Sequence, residues 1–289
     1  MQHSTKVLFW NIWAHREEES VHEYLKAHAE DTDVLCLTEV TNISLSQLKG
    51  AGTNICHNER ADESASRVNG EALLRSEFGD IYNCIYNASD SRNWTCAKEG
   101  TSFENVGFGS AMLIRKDLEL IDVGAETFSY SIADDTCRQK IMQWVVFKKG
   151  KDVVLVAHLH GVWIKGNTKG DHLVRFAQSQ FIREKLNWLR KKYLVDLLVF
   201  GGDLNLDMET YALRLLEDGA GDGELFLENH IKSLGITSTR TQRYREANTE
   251  GHSQFADYIF TNIGVEVESV VVDTEVEGSD HAALHIVFS

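Results

Sequence analysis

Short apolar runs that each lead into a polar residue or a glycine recur along the whole chain. Val7-Leu8-Phe9-Trp10, Val34-Leu35-Cys36-Leu37 and Val156-Ala157 before His158 are examples. They are too short for buried helices and too continuous for strands with one wet face, so they read as strands buried on both sides. A chain built from such strands must stack layers to cover them. The pattern predicts strands over 7–13, 34–37, 109–115, 140–147, 153–160, 196–200, 255–261, 265–272 and 283–288. It predicts helices over 17–30, 63–78, 171–192 and 208–218, the first with Val21, Leu25 and His28 on one side. Strands outnumber helices and the glycine fingerprint of a dinucleotide fold is missing, which favours a sheet-on-sheet α/β core with outer helices over a doubly wound sheet. No repeat, low-complexity tract or Gly/Ser linker divides the sequence, and one domain over 1–289 is expected. The least regular part, 52–105, is expected to form a rim or lid.

Composition narrows the function. Of the 289 residues, 43% are hydrophobic and 25% charged, an ordinary globular balance. The apolar runs are too short to span a bilayer. No cationic start, long apolar stretch or small-residue cleavage site opens the chain, so a cytoplasmic, non-secreted protein is expected. The three N-x-S/T sequons at Asn42, Asn87 and Asn93 then carry no weight, and the five cysteines, an odd number, are expected as reduced thiols. A formal charge of −15 argues against broad electrostatic capture of nucleic acid, because such binding comes from clustered Lys and Arg. Bound cations and a local basic rim can still reverse the field at one site. Proline is absent, which chance gives about once in a million chains of this length at the usual frequency of about 5%.

The chemistry sits where apolar runs end. Glu39 follows one run and would offer an oxygen ligand for Mg²⁺ or Mn²⁺, although an exposed glutamate opening a loop reads the same locally. In Gly201-Gly202-Asp203-Leu204-Asn205, paired glycines let the backbone turn and present a carboxylate beside an amide. The carboxylate could take a proton from water and the amide hold an oxyanion; an ordinary Asx turn is the competing reading. His158 and His160 share one face of a predicted strand, and His160, beside a turn glycine, is the stronger candidate. No cysteine or third histidine at suitable spacing supports zinc. Asp257 is a lone carboxylate in an apolar strand and needs a partner. His281, in Ser279-Asp280-His281, is the obvious one, since an Asp–His pair raises imidazole basicity and fixes its tautomer. A G-x-S-x-G elbow and a phosphate-binding G-x-x-x-x-G-K-[ST] loop are both missing, which disfavours acyl transfer and NTP-driven chemistry.

In order, Trp10-Asn11-Ile12, Thr38-Glu39, Leu159-His160-Gly161, Gly202-Asp203-Leu204-Asn205, Ala256-Asp257-Tyr258 and Ser279-Asp280-His281 resemble the endonuclease/exonuclease/phosphatase superfamily, which includes pancreatic deoxyribonuclease. The resemblance spans nearly the whole chain and is closest in pattern to uncharacterised bacterial members. It implies a four-layer αββα sandwich of two packed mixed sheets and a Mg²⁺ or Mn²⁺ ion. It further implies Glu39 as the principal metal ligand, Asn11 and Asp280 as metal or phosphate contacts, Asp203 as the group orienting or deprotonating water, and Asn205 holding phosphate. His281, oriented by Asp257, would stabilise developing charge, and His160 would contact the phosphate or leaving oxygen. Ala283 stands where the superfamily commonly has a proline, which removes no catalytic group.

The expected activity is metal-dependent phosphoester hydrolysis, with a nuclease as the first reading. A phosphatase or phosphodiesterase for small or lipid-linked phosphoesters is the alternative, and a non-catalytic binding domain the third. Arg240, Arg243 and Arg245, read as a loop, are candidate contacts for flanking phosphates, and Trp163, near Lys165 and Lys169, a candidate base platform. A solvated loop and a core-edge tryptophan read the same locally. A monomer is expected, acting on a phosphoester substrate with nucleic acid among the candidates.

Overall fold

A computed structural model describes residues 4–15, 17–42, 54–56, 65–67, 70–95, 102–132, 137–164, 166, 169–217, 225–247 and 253–289. Elements run in the order β1 (Thr5–Asn11), α1 (Glu18–Ala29), β2 (Val34–Asn42), β3 (Asn54–Cys56), β4 (Ala65–Arg67), α2 (Gly70–Phe78), β5 (Tyr82–Thr95), β6 (Ser102–Arg115) and β7 (Glu119–Ser131). They continue with β8 (Cys137–Lys149), β9 (Asp152–Leu159), α3 (Leu173–Tyr193), β10 (Leu197–Asp203), α4 (Tyr211–Glu217), β11 (Leu227–Asn229), α5 (His230–Ser233), α6 (Gln242–Ala247), β12 (Asp257–Asn262), β13 (Val267–Asp273) and β14 (Ala283–Phe288).

Two mixed sheets result, each of six strands among the described residues, with orders β13-β14-β1-β2-β6-β5 and β11-β12-β10-β9-β8-β7. In each, one parallel pair sits in an otherwise antiparallel sheet: β1 with β2, and β9 with β10. Alternation along β1, β2 and β6 places every second side chain in a different layer. Val7, Phe9, Val34, Cys36, Met112 and Ile114 face the second sheet and share one core with Val145, Phe147, Val154 and Val156. Leu8, Trp10, Leu35, Leu37, Ala111 and Leu113 face outward and are covered by Val21, Leu25 and Ala29 of α1 and by Leu74 and Phe78 of α2. On the other side, Ile182, Leu186 and Leu189 of α3 cover the second sheet. Both faces of the central strands are thus dry, which is why they read as unbroken apolar runs. This is the expected sandwich with outer helices.

Several local expectations are corrected. The first strand stops at Asn11, and Trp13–His15 forms a 3-10 turn. The predicted helix over 63–78 begins only at Gly70, because 65–67 pair as β4 with β3; residues 63, 64, 68 and 69 lie outside the described residues. The stretch expected as an irregular rim contains β5, paired with β6 along its length across two bulges. Its polar composition hid a strand at a sheet edge, where one side needs no apolar cover. β7 was hidden likewise, being exposed along most of its length. The remainder of the expected rim, Cys96 and Lys165 lie outside the described residues. Cys36, Cys84 and Cys137 are free. Among the described residues no helix is long and apolar enough to cross a membrane, which leaves β-barrel spanning untouched.

Candidate active site

Chain topology delivers the sequence candidates to one end of the sandwich. β1 and β2 run parallel and bring Asn11 and Glu39 to the same end of the first sheet. β9 and β10 do the same for His160 and Asp203 in the second. Antiparallel neighbours start where these strands finish: Asp203 and Asp257 are register partners across β10 and β12, and His281 lies just before β14, which pairs with β1.

Two backbone features aim the side chains. Glu39 does not follow its strand, as expected, but lies within β2 at a bulge, with φ of 59° and the pairing with β6 shifting between Thr38 and Val40. The extra residue re-aims the carboxylate toward the second sheet. Gly202 has φ of 121°, and a Cβ at Gly161 would lie 2.2 Å from the Leu204 carbonyl oxygen. Only glycine permits that approach. It lets the Gly161 N–H donate to the Asp203 carbonyl at 2.6 Å, tying the His160 and Asp203 turns together.

The side chains then form one buried cluster. His281 Nδ1 lies 2.7 Å from Asp257 Oδ2, and its Nε2 lies 3.7 Å from Asp203 Oδ2 and 3.8 Å from Asp280 Oδ1. Asn11 Nδ2 donates to Asp203 Oδ2 at 3.0 Å and is 3.4 Å from His281 Nε2. His160 Nε2 is 3.8 Å from Glu39 Oε1 and 3.7 Å from Asp203 Oδ2. Asn205 closes an Asx turn, its N–H donating to Asp203 Oδ1 at 2.9 Å, while its amide donates to Gly161 O at 3.3 Å. The Asx turn is therefore present, and it leaves Asp203 Oδ2 facing Asn11 and His281. Ser279 Oγ donates to the Asn11 carbonyl at 2.6 Å and accepts the His281 N–H, pinning the terminal turn onto β1.

Charges in this cluster oppose burial. Burial raises the Glu39 pKa, with Asp280 and Asp203 adding to it, against His281 and a hydrogen bond from Asn11. Burial alone would also raise Asp203, but His281, His160, Lys169 and Arg240 hold it well below the usual carboxylate range. Burial and Arg240 push His281 down, yet Asp257, Asp280 and Asp203 outweigh them and its pKa stands above the ordinary value. His158 is different. It is fully buried, its Nε2 is 2.6 Å from Gln143 Oε1, and burial takes its pKa down to about 3. The two histidines are thereby separated: His160 joins the acidic cluster and His158 is a neutral group between strands.

A hard cation fits this set. Ligand atoms of Glu39, His160 and Asp203 lie within 4.8 Å of one another, as do those of Asp203, Asp257 and His281. Asp280 Oδ1 is buried without a hydrogen-bond partner. Clustered carboxylate oxygens with an amide and imidazole suit Mg²⁺ or Mn²⁺ better than a thiol-seeking metal.

The arginines depart from expectation. Arg243 and Arg245 stand on α6 rather than in a loop, and Arg243 pairs with Glu17 at 3.2 Å. Arg240 is buried, with Nη1 3.1 Å from Asp280 Oδ2, and belongs to the cluster rather than its rim. Trp163 is 51% exposed and available at the surface. Lys169 is not at the rim beside it: its Nζ is buried and donates to Phe255 O at 3.0 Å, and burial lowers its pKa to about 8. Thr239, whose hydroxyl accepts the Ala256 and Asp257 N–H groups, was not singled out from sequence, and Lys169 was named only as a neighbour of Trp163. Neither lies in or beside an apolar run that would mark it.

A profile of the Endonuclease/Exonuclease/phosphatase family matches residues 8–281. No curated protein matches. Among solved structures, the Bacteroides thetaiotaomicron mannosyl-6-phosphatase Bt3783 is similar with a TM-score of 0.64 and 16% identity, over 99% of both chains. The human Nocturnin catalytic domain aligns with a TM-score of 0.62 and 18% identity, over 99% of this chain and 94% of that one. Truncated Caenorhabditis elegans TDP2 gives 0.59 and 16%, over 99% and 97%. These likenesses concern the fold; the profile match over nearly the whole length decides the family, and the chain belongs to the endonuclease/exonuclease/phosphatase family of phosphoester hydrolases.

Proposed function

We propose that the chain hydrolyses phosphoesters with a divalent metal, using the cluster around Asp203 and His281. The observation that carries this reading is the convergence on Asp203 Oδ2 of Asn11, His160 and His281, all within 3.7 Å. Asp203, held ionised by its cationic neighbours, orients a water and accepts its proton. His281, kept protonated by Asp257 behind it, donates from Nε2 to the oxygen on which charge develops. Asn11 and Asn205 present amide N–H groups to phosphate oxygens without adding negative charge, and His160 faces the phosphate or leaving oxygen. Glu39 and Asp280 would hold Mg²⁺ or Mn²⁺, which supplies charge neutralisation at non-bridging oxygens when bound.

For the substrate, burial of Arg240 against Asp280 takes one of three expected phosphate contacts away from the surface, and exposed Arg243 is paired with Glu17. Together with the charge of −15, this supports a small phosphoester ahead of a nucleic acid. Exposed Trp163 favours the nuclease as the second reading. A hydrolysis panel with Mg²⁺, Mn²⁺, Ca²⁺ or chelator decides, covering single- and double-stranded DNA, RNA, nucleotides, sugar phosphates, sphingomyelin and inositol phosphates. Metal-dependent turnover confined to small phosphoesters supports the first reading. Turnover of DNA or RNA that weakens steeply with salt overturns it.

A further inference from the structure

Residues 238–241 form a clasp between the two segments that carry the Asp257–His281 pair. On one side Ser238 Oγ donates to Gln254 O, the Thr239 N–H donates to the same carbonyl, and Thr239 Oγ1 accepts the Ala256 and Asp257 N–H groups. On the other side the Ala282 N–H donates to Thr239 O, the Thr241 N–H donates to Asp280 O, and Arg240 bridges His281 through the backbone. One short segment thus fixes where Asp257 and His281 stand relative to each other. The Arg240 side chain extends the clasp. The side chain is 7% exposed, and its guanidinium lies 4.9 Å over the Tyr244 ring and donates to Asp280 Oδ2 at 3.1 Å. The other oxygen, Oδ1, is left buried without a hydrogen-bond partner, 3.8 Å from His281 Nε2.

We propose that Arg240 is a positioning residue that fixes which oxygen Asp280 presents to the site, and that it does so at the expense of cation affinity. The proposal rests on the phosphoester-hydrolase reading above for its kinetic arm only. A carboxylate with one oxygen tied to a buried cation loses that charge-assisted hydrogen bond when it rotates, so Oδ1 is held toward one direction. The same cation stands near Asp203 and Asp257 and repels any metal ion those carboxylates attract. Removing the guanidinium frees both Asp280 oxygens for metal and deletes a repulsive charge, so metal binding tightens while the productive geometry is lost. A substrate contact behaves otherwise, raising KM, and a merely structural residue weakens metal binding and turnover together.

The test compares Arg240→Gln and Arg240→Lys with the parent. Mn²⁺ alone is titrated calorimetrically, and steady-state kinetics use bis(p-nitrophenyl) phosphate at saturating Mn²⁺. Arg240→Gln is expected to bind Mn²⁺ roughly fivefold more tightly, to lose about fiftyfold or more in kcat, and to keep KM within about threefold. Arg240→Lys keeps the charge and can reproduce a single hydrogen bond, though not the planar fork. It is expected to bind Mn²⁺ like the parent and to recover kcat to within about tenfold of it. Weaker Mn²⁺ binding in the Gln variant, or a rise in KM at unchanged kcat in either, overturns the proposal. If the Gln variant does not fold, the Lys variant decides through the same split between kcat and KM. If the parent hydrolyses no phosphoester under any metal, the functional reading fails on its own, and the Mn²⁺ titration still tests Arg240.

Discussion

Glu39 is where local backbone preference and the site conflict most, and the conflict can be measured. A non-glycine residue with φ of 59° in the left-handed region costs about 1–2 kcal/mol, less for asparagine, whose short side chain hydrogen-bonds locally. Burial, Asp280 and Asp203 also raise the Glu39 pKa. The sign follows. An acid whose folded pKa exceeds its unfolded one is stabilising only while protonated, so stability falls as pH rises from the unfolded value of 4.5 through the folded one. Near neutral pH the ionised Glu39 therefore opposes folding.

Two substitutions separate the contributions. Glu39→Gln keeps the side-chain length and removes the charge, while Glu39→Asn removes the charge and relaxes the backbone. In chelator at pH 7.5 both are expected to be more stable than the parent, with Asn exceeding Gln by about 0.5–1 kcal/mol, or about 1–3 °C in Tm for a chain of this size. In Mg²⁺ at about 100 times Kd the order reverses, because the parent alone gains the roughly 2.7 kcal/mol that binding supplies. Thermal unfolding followed by circular dichroism, in chelator and in Mg²⁺, reads both. If the variants are less stable than the parent in chelator, the strain argument fails. If they keep the full Mg²⁺-induced shift in Tm, Glu39 is not a metal ligand.

His281→Ala and Asp203→Asn should each lose several orders of magnitude in kcat while circular dichroism stays native; near-parental turnover in either sinks the mechanism. Asp257→Asn removes a neighbour that raises the His281 pKa, so the alkaline limb of the kcat–pH profile should move to lower pH, and an unmoved limb would deny the pair its role. His158 has a folded pKa of about 3 against 6.5 unfolded, so as pH falls below 6.5 the unfolded chain alone takes up that proton, and stability drops by about 1.4 kcal/mol per pH unit. Urea titrations from pH 7 to pH 4.5 should show that slope flattened in His158→Gln. Leu194 caps α3 with φ of 53° and is 79% exposed, so Leu194→Gly should stabilise by about 0.5–1 kcal/mol in chemical denaturation with activity unchanged.

The buried strands and the polar residues at their ends were legible because both sheet faces are covered, so apolar runs stop abruptly where chemistry begins. Asn11, Asp203 and Asp257 occupy such ends, and His281 comes two residues before β14. What stayed hidden depended on contacts distant in sequence. Arginine is almost never buried unless paired, so Arg240 read as surface; its partner Asp280 lies forty positions away. The two histidines near the end of β9 share a face by alternation. What separates them is Gln143, the register partner of His158 on β8. The edge strands β5 and β7 lacked the apolar signal because half of each ladder needs no cover.

The strained positions show the same division from the other side. Non-glycine residues with positive φ are Trp13, Ala14, Glu39, Lys169, Leu194 and Asn205 among the described residues. Asn205 hydrogen-bonds Asp203, Trp13 hydrogen-bonds Asn11, and Ala14 follows it. Lys169 faces Asp203, Asp257 and Asp280 electrostatically, and Glu39 faces His160. Leu194 alone is remote, ending a helix on the far side of β10 from Asp203. Strain that persists only where surrounding structure over-determines it tends to mark function, and here it gathers around one carboxylate, Asp203. A sequence built from locally consistent strands and helices therefore breaks its own preferences chiefly where side chains must be turned off the regular pleat toward a common point. The gain from Leu194→Gly and the excess of Glu39→Asn over Glu39→Gln in chelator should accordingly be similar, and only the Glu39 substitutions should remove metal binding.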